Sequence, residues 1–183
     1  MTRAAIALVP GIAIAFIPDH SAAFGLLVFG LWATVSGVVV GALVLRGLSG
    51  LYRGLFLTNA LLTAVVGLLA LSLTDAGLAF YLFLVSVWAA VTGFLELYAG
   101  VRQRNAANRA GERSTEARDR ITVGALTAVF ALVYLLLPPN AVVAVGILGA
   151  YLVIIGVFLA IAGFSLRWDA PRASVTTPNE EVS

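Results

Sequence analysis

The sequence predicts an all-α, polytopic membrane protein, with six transmembrane helices arranged as three tandem, parallel-oriented hairpins around a pseudo-threefold axis. Three observations carry this expectation. Hydrophobic residues make up 61% of the chain and charged residues 11%, with a mean hydropathy of +1.04; a soluble domain carries about 25% charged residues. Six apolar runs are separated by short connectors. In every second run an aromatic residue stands five positions before a glycine: Trp32 before Gly37, Trp88 before Gly93, and Tyr151 before Gly156.

The runs cover residues 4–17, 22–45, 55–73, 78–101, 121–137 and 141–166. At a rise of about 1.5 Å per residue the even-numbered runs reach roughly 36–39 Å, enough to cross a hydrocarbon core of about 30 Å with tilt to spare. The odd-numbered runs are shorter. The first reaches only about 21 Å and contains Pro10, which is expected to kink it. The spans occupy residues 1–167 as hairpins 4–46, 54–102 and 120–167, with a polar loop at 102–120. Residues 168–183, with two prolines and three acids, read as a disordered tail.

Charge sets the expected orientation. The connectors after runs one, three and five contain no arginine, whereas the N-terminus, the second and fourth connectors and the tail hold all eleven basic residues of the chain. Basic residues in short loops stay in the cytoplasm, so both termini are expected there. The first run is read as a span and not as a removable signal peptide. Gly11 precedes Asp19 by eight residues and Gly67 precedes Asp75 by the same eight, so the run repeats a later one.

Two spans per repeat insert each copy in the same orientation, which implies an axis along the membrane normal. Small residues also recur every seven positions in the long runs: Gly30 and Gly37; Ser86, Gly93 and Gly100; Gly149, Gly156 and Gly163. A seven-residue period keeps one stripe on one face, and small residues there let membrane helices approach closely. Gly37 and Gly41 add a GxxxG pair. The three long helices are expected to meet along these stripes, with the short helices peripheral.

The segments Gly30-Leu31-Trp32-Ala33-Thr34-Val35-Ser36-Gly37, Ser86-Val87-Trp88-Ala89-Ala90-Val91-Thr92-Gly93 and Gly149-Ala150-Tyr151-Leu152-Val153-Ile154-Ile155-Gly156 resemble the HdeD-like acid-resistance membrane proteins. The arginine after each long run and the Pro-Asp or Pro-Pro-Asn turns fit the same pattern. The resemblance implies a multi-pass protein of the bacterial inner membrane linked to acid or envelope stress. It brings no catalytic residues with it.

Candidate functional positions are few. Glu96 is the one acid well inside an apolar run, and the equivalent positions in the other copies are Val40 and Leu159. Intramembrane ionisable groups are costly and often functional. Asn59 lies at nearly the same depth on the preceding run and is a natural hydrogen-bond partner. The alternative is a Glu96 at the membrane interface, satisfied by water or a nearby arginine. Asp19, His20 and Asp75 sit at the opposite mouth and would change charge in acid; the simpler reading makes the aspartates helix caps and His20 a solvated turn residue. Trp32, Trp88, Tyr151 and Trp168 are expected as interface anchors or packing residues.

The 102–120 segment, with six arginines and three acids, suits either anionic lipid or plain solvation. Its acids and lack of interleaved aromatics speak against nucleic acid. Cysteine is absent and histidine occurs once, and no phosphate-binding, dinucleotide, zinc or nucleophile-elbow motif is present. The expectation is a non-enzymatic protein without catalytic residues, metal or cofactor, acting with itself, lipid or another membrane protein. The alternative is a small oligomeric channel or transporter using Glu96 and Asn59.

Overall fold

The computed structural model describes residues 2–47, 51–111 and 114–168, with side chains described for residues 4–47, 53–111 and 114–164. It is all-helical among these residues: α1 (Thr2–Phe16), α2 (Ala22–Gly47), α3 (Leu51–Ser72), a 3-10 turn (Thr74–Ala76), α4 (Gly77–Arg109), α5 (Thr115–Leu136) and α6 (Ala141–Trp168). The helices α2 to α6 are long and apolar enough to cross a membrane, while α1 is a shorter apolar helix that runs through Pro10. Large apolar side chains such as Val9, Leu61, Phe83, Leu135 and Ile161 are more than half exposed. A surface so apolar on every side is solvated by lipid, and the chain is a membrane-embedded helical protein. The expected tail lies outside the described residues, and of Trp168 only the backbone is described.

Short polar residues start the helices. Ser21 Oγ accepts from Phe24 N at 3.2 Å ahead of α2, and Asp19 Oδ1 in turn accepts from Ser21 N at 2.9 Å. Ser114 Oγ accepts from Ala117 N at 3.1 Å at the start of α5, and Asn140 Oδ1 accepts from Val143 N at 3.2 Å at the start of α6. The bonds to Phe24, Ala117 and Val143 satisfy amides that the helices themselves leave open, and Asp19 steadies the capping Ser21. Gly77 (φ 84°) and Gly111 (φ 72°) take the left-handed conformation at the two ends of α4, a conformation glycine adopts without steric cost.

The 102–120 segment is mostly helix, not loop. Its first part carries alanine, arginine and glutamine, good helix formers, so α4 continues to Arg109, and Ser114 restarts the helix at Thr115. Gln103 Nε2 donates to Glu116 Oε2 across the gap at 3.2 Å.

Packing departs from the expected hairpins. The most extensive interfaces join α4 to α5, α2 to α3 and α1 to α6, whereas α1–α2, α3–α4 and α5–α6 touch much less. Helices connected at the arginine-bearing end therefore lie close together, and those connected at the opposite, turn end splay apart. The chain's first and last helices complete the third pair.

The glycine stripes run along these three interfaces, which corrects the expectation that the long helices meet along them. A methyl group at Gly37 would sit 2.5 Å from Ala64 N on α3; at Gly93, 2.8 Å from Ala128 N on α5; at Gly156, 3.1 Å from Leu8 N on α1. Gly30 and Gly100 are similarly closed in by α3 and α5, and Gly149 by Ile14 of α1. The short helices supply matching glycines: Gly67 lies against Thr34, Gly124 against Leu97 and Gly11 against Val153. Gly41 is loose, because a methyl there would meet only Ala60 Cβ at 3.7 Å. Ser86 turns its hydroxyl back to Leu82 O at 2.7 Å, and Gly163 is half-buried near the end of α6.

The long helices meet through large residues instead. Trp32, Trp88 and Tyr151 are buried, with ring centroids 5.1 Å apart for Trp32–Trp88 and 6.3 Å for Trp88–Tyr151, both edge-to-face. They are not interface anchors. Three helices each present one at the same repeat position, and the rings fill the space between helices that their bulk keeps apart.

Candidate functional site

Four residues is about one helical turn, so positions spaced by four on a long helix share a face. From the Trp/Tyr positions toward the arginine end, that face reads Trp32, Ser36, Val40 on α2; Trp88, Thr92, Glu96 on α4; and Tyr151, Ile155, Leu159 on α6. All nine residues line one cavity of about 150 Å³. It has three layers, each with one residue from every repeat. The α2 and α4 sides carry most of the polar groups, and the α6 side is apolar below Tyr151. The paired helices add Asn59 and Thr63 from α3 and Arg120 and Thr127 from α5.

Beyond the aromatic layer, toward the turn end, the interior is solid. Leu26, Phe29, Tyr81, Val85, Tyr134, Val145 and Leu148 are fully buried there. Tyr81 and Tyr134 share a hydroxyl hydrogen bond of 3.0 Å, and Tyr134 OH donates to Ala144 O. With Tyr134 donating to the carbonyl, Tyr81 is the donor between the two hydroxyls. The lining of the cavity extends from the aromatic layer toward the arginine end, where it includes Val44, Phe56 and Arg120.

The polar groups form a connected set. Asn59 Nδ2 donates to Glu96 Oε1 at 3.4 Å, the partnership their equal depth implied. Arg120 Nη1 lies 3.7 Å from Glu96 Oε2, and its guanidinium sits 3.9 Å from the centre of the Phe56 ring. The Glu96 side chain is 12% exposed and that of Arg120 24%, so the carboxylate is the deeper partner. The low-dielectric surroundings strengthen the attraction that holds them, and neither charge is buried alone. Arg102 takes no part in this pair; its Nη1 donates to Tyr98 OH at 3.2 Å.

Higher up, Trp88 Nε1 donates to Thr63 Oγ1 at 3.2 Å, and Thr127 Oγ1 lies 2.9 Å from Tyr151 OH. Thr92 Oγ1 donates to Trp88 O at 2.7 Å, and Thr127 Oγ1 to Val123 O at 2.8 Å. Such back-bonds to the preceding helical turn let a hydroxyl sit in an apolar span without another acceptor's help. Two buried atoms of the lining have no hydrogen-bond partner, Trp32 Nε1 and Asn59 Oδ1. Leaving a buried donor or acceptor unmade costs about 1–3 kcal/mol.

Asp19, His20 and Asp75 lie at the turn end, away from the cavity lining. Asp19 supports the start of α2, His20 Nδ1 is 3.0 Å from Pro18 O within its own turn, and Asp75 is exposed in the 3-10 turn. No hydrogen bond or ion pair joins the three among the described residues. The residues that sequence reasoning missed are Arg120, Thr63 and Thr127. Arg120 belongs by composition to a charged segment, and the threonines look like ordinary span residues. The repeat offered the missing signal for the threonines: Thr63 and Thr127 stand 25 and 24 residues before Trp88 and Tyr151, the aromatic residues they bond.

A family profile for a short repeat of unknown function (DUF308) matches residues 2–72 and, as a second copy, residues 58–112. No curated protein and no solved structure gives a match. The two matched segments together span 2–112, more than half of the chain, and include the α2–α3 pair, the first two aromatic–glycine units, Asn59 and Glu96. The chain therefore belongs to the family of proteins built from the DUF308 short repeat of unknown function.

Proposed function

We propose that this protein is a non-enzymatic, six-span protein of the bacterial inner membrane that holds a small molecule in a blind cavity opening toward the cytoplasm. The observation that carries the reading is the contrast along the long helices: a lined space with unpartnered polar atoms below the aromatic layer, and solid packing above it. Among the described lining residues Glu96 and Arg120 carry charge, and they neutralise each other. A paired carboxylate without a second acid or base favours binding over turnover. The arginine-rich connectors support a cytoplasmic arginine end, and the threefold recurrence of the aromatic, polar and apolar layers supports three copies about one axis. Resemblance to HdeD-like proteins suggests acid or envelope stress as the setting. The exposed Arg102, Arg104, Arg109 and Arg118 suit anionic headgroups, and the outer small-residue positions suit self-association.

A second reading, a small oligomeric channel or transporter, draws on the same Glu96 and Asn59. It requires the turn end to open past Tyr81 and Tyr134, whose burial and hydrogen bonds favour closure. The chain has no cysteine, so single replacements give a direct test. Ser36→Cys and Thr92→Cys should react with a membrane-impermeant thiol reagent in inverted vesicles and not in right-side-out cells, while Val85→Cys should react in neither. Labelling of Ser36→Cys from the outside would sink the one-sided cavity, and protection of both cavity positions from both sides would remove the aqueous access it needs.

A further inference from the structure

We infer that the cavity takes an uncharged, ring-sized molecule bearing a hydroxyl or carbonyl oxygen, which accepts from Trp32 Nε1 where the other two repeats place a threonine hydroxyl. The inference rests on the binding reading above and adds the ligand's polarity and its place in the cavity.

The three repeats set the comparison. Trp88 Nε1 donates to Thr63 Oγ1, and Tyr151 OH lies within hydrogen-bond distance of Thr127 Oγ1. Each bond joins a long helix to the helix before it in the chain, α4 to α3 and α6 to α5. In the first repeat the residue 25 positions before Trp32 is Ala7, on α1. Ala7 is buried and lines the same cavity as Thr63 and Thr127. Its methyl group accepts nothing from an indole, and Trp32 Nε1 is buried without a partner among the described residues. Trp32 is 9% exposed and lines the cavity, so an occupant of that cavity can supply the missing acceptor.

Asn59 Oδ1 is the second unmet atom of the lining. The Glu96 carboxylate only accepts, so Asn59 turns Nδ2 toward it and leaves Oδ1 for a donor. A hydroxyl accepts and donates through one atom. It therefore suits a lining that lacks an acceptor at one point and a donor at another.

Charge and size complete the description. Among the lining residues Glu96 and Arg120 carry charge; they pair with each other, and Arg120 also lies over Phe56. The lining is neutral as a whole, and a charged ligand would enter apolar surroundings without a counter-charge of its own. An apolar cavity of about 150 Å³ holds one benzene ring, and this cavity has about that volume. The rings of Trp32, Trp88 and Tyr151, with Val40, Ile155 and Leu159, give an apolar body its contacts.

Five six-membered rings that differ in one substituent test this: cyclohexanol, cyclohexanone, methylcyclohexane, cyclohexylammonium and cyclohexanecarboxylate. Binding to the full-length protein in mild detergent at neutral pH is read by thermal unfolding. It is read also by the indole N–H resonance of Trp32 in isotope-labelled protein, identified by its loss in Trp32→Phe. Cyclohexanol should bind best and move that resonance. Methylcyclohexane should bind about three- to tenfold more weakly, the scale of one neutral hydrogen bond, and leave the resonance in place. Trp32→Phe should erase the difference between the two. Ala7→Thr should supply the hydroxyl from within: it should raise the unfolding midpoint of the empty protein, shift the Trp32 resonance and weaken cyclohexanol by about tenfold or more. A gain in stability cannot come from misfolding, and Ala7→Val, of the same shape without the hydroxyl, should leave the resonance in place. Equal binding of cyclohexanol and methylcyclohexane, or binding led by either charged probe, would leave a binding cavity but refute this ligand class. If none of the five binds while Ala7→Thr still stabilises, water alone meets Trp32, and the inference and the binding reading fall together.

Discussion

The two ends of the helix bundle are built from the same repeat and do opposite things. At the turn end, Leu26, Phe29, Tyr81, Val85, Tyr134, Val145 and Leu148 leave no space, and the polar atoms present, the two tyrosine hydroxyls, satisfy each other and a backbone carbonyl. At the arginine end, the same helices diverge in size and polarity, with Val40, Glu96 and Leu159 at one level and Ser36, Thr92 and Ile155 at the next. The difference teaches that a repeat closes where its copies are complementary in bulk, as Tyr81 is to Gly25 at the equivalent position, and leaves space where all three copies carry medium-sized residues of mixed polarity.

Three sets of substitutions would break or sharpen this comparison, all read as the midpoint of unfolding in mixed micelles. The largest contrast is between leucines on the same helix. Leu148→Ala, in the solid end, should cost about 2–5 kcal/mol, the range for emptying a packed core position. Leu159→Ala, beside existing free space, should cost less than half as much; equal losses would mean that the two ends are packed alike.

The seams come next, because they hold both ends together. Gly37→Val should destabilise by about 1–3 kcal/mol or more, since its first methyl already falls 2.5 Å from the Ala64 amide. Gly41→Ala, four residues on, should change stability by less than about 0.5 kcal/mol, as its methyl has room beside Ala60. A reversal of this order would refute the α2–α3 seam.

Smallest is the contrast between the buried tyrosines. Tyr134→Phe strands the Tyr81 hydroxyl in an apolar interior and should cost about 1–2 kcal/mol. Tyr151→Phe should cost under about 1 kcal/mol, because Thr127 keeps its bond to Val123 O. If Tyr151→Phe proved the more damaging, the cavity end would be the more tightly specified of the two.

Much of the architecture was readable from residues alone. The apolar runs gave the helices to within a few residues at most ends, because a span must bury its own backbone hydrogen bonds and so needs an unbroken apolar stretch. The exception was the segment after Val101. There, alanine and arginine continue α4 to Arg109, and arginine counts as charge in a hydropathy reading although it is a good helix former. The link between Glu96 and Asn59 was also legible, since both lie six residues from an arginine on antiparallel runs. Arg120 was not: it stands at the edge of a charged segment, and its inward reach depends on how α5 lies against α4.

By itself, then, the sequence determined what local forces and solvent decide: helical spans, their alternation of charged and uncharged connectors, the small-residue stripes and the isolated acid. Only the tertiary structure decided which stripe faces which helix. A seven-residue period fixes that a face is smooth but not what lies against it. Pairing α6 with α1 also required two helices far apart in the sequence to meet. Likewise Trp32, Trp88 and Tyr151 have the same amphipathic chemistry at a membrane surface and in a core. The closing of three helix pairs into one bundle placed them inside, as the roof of the cavity that holds Glu96.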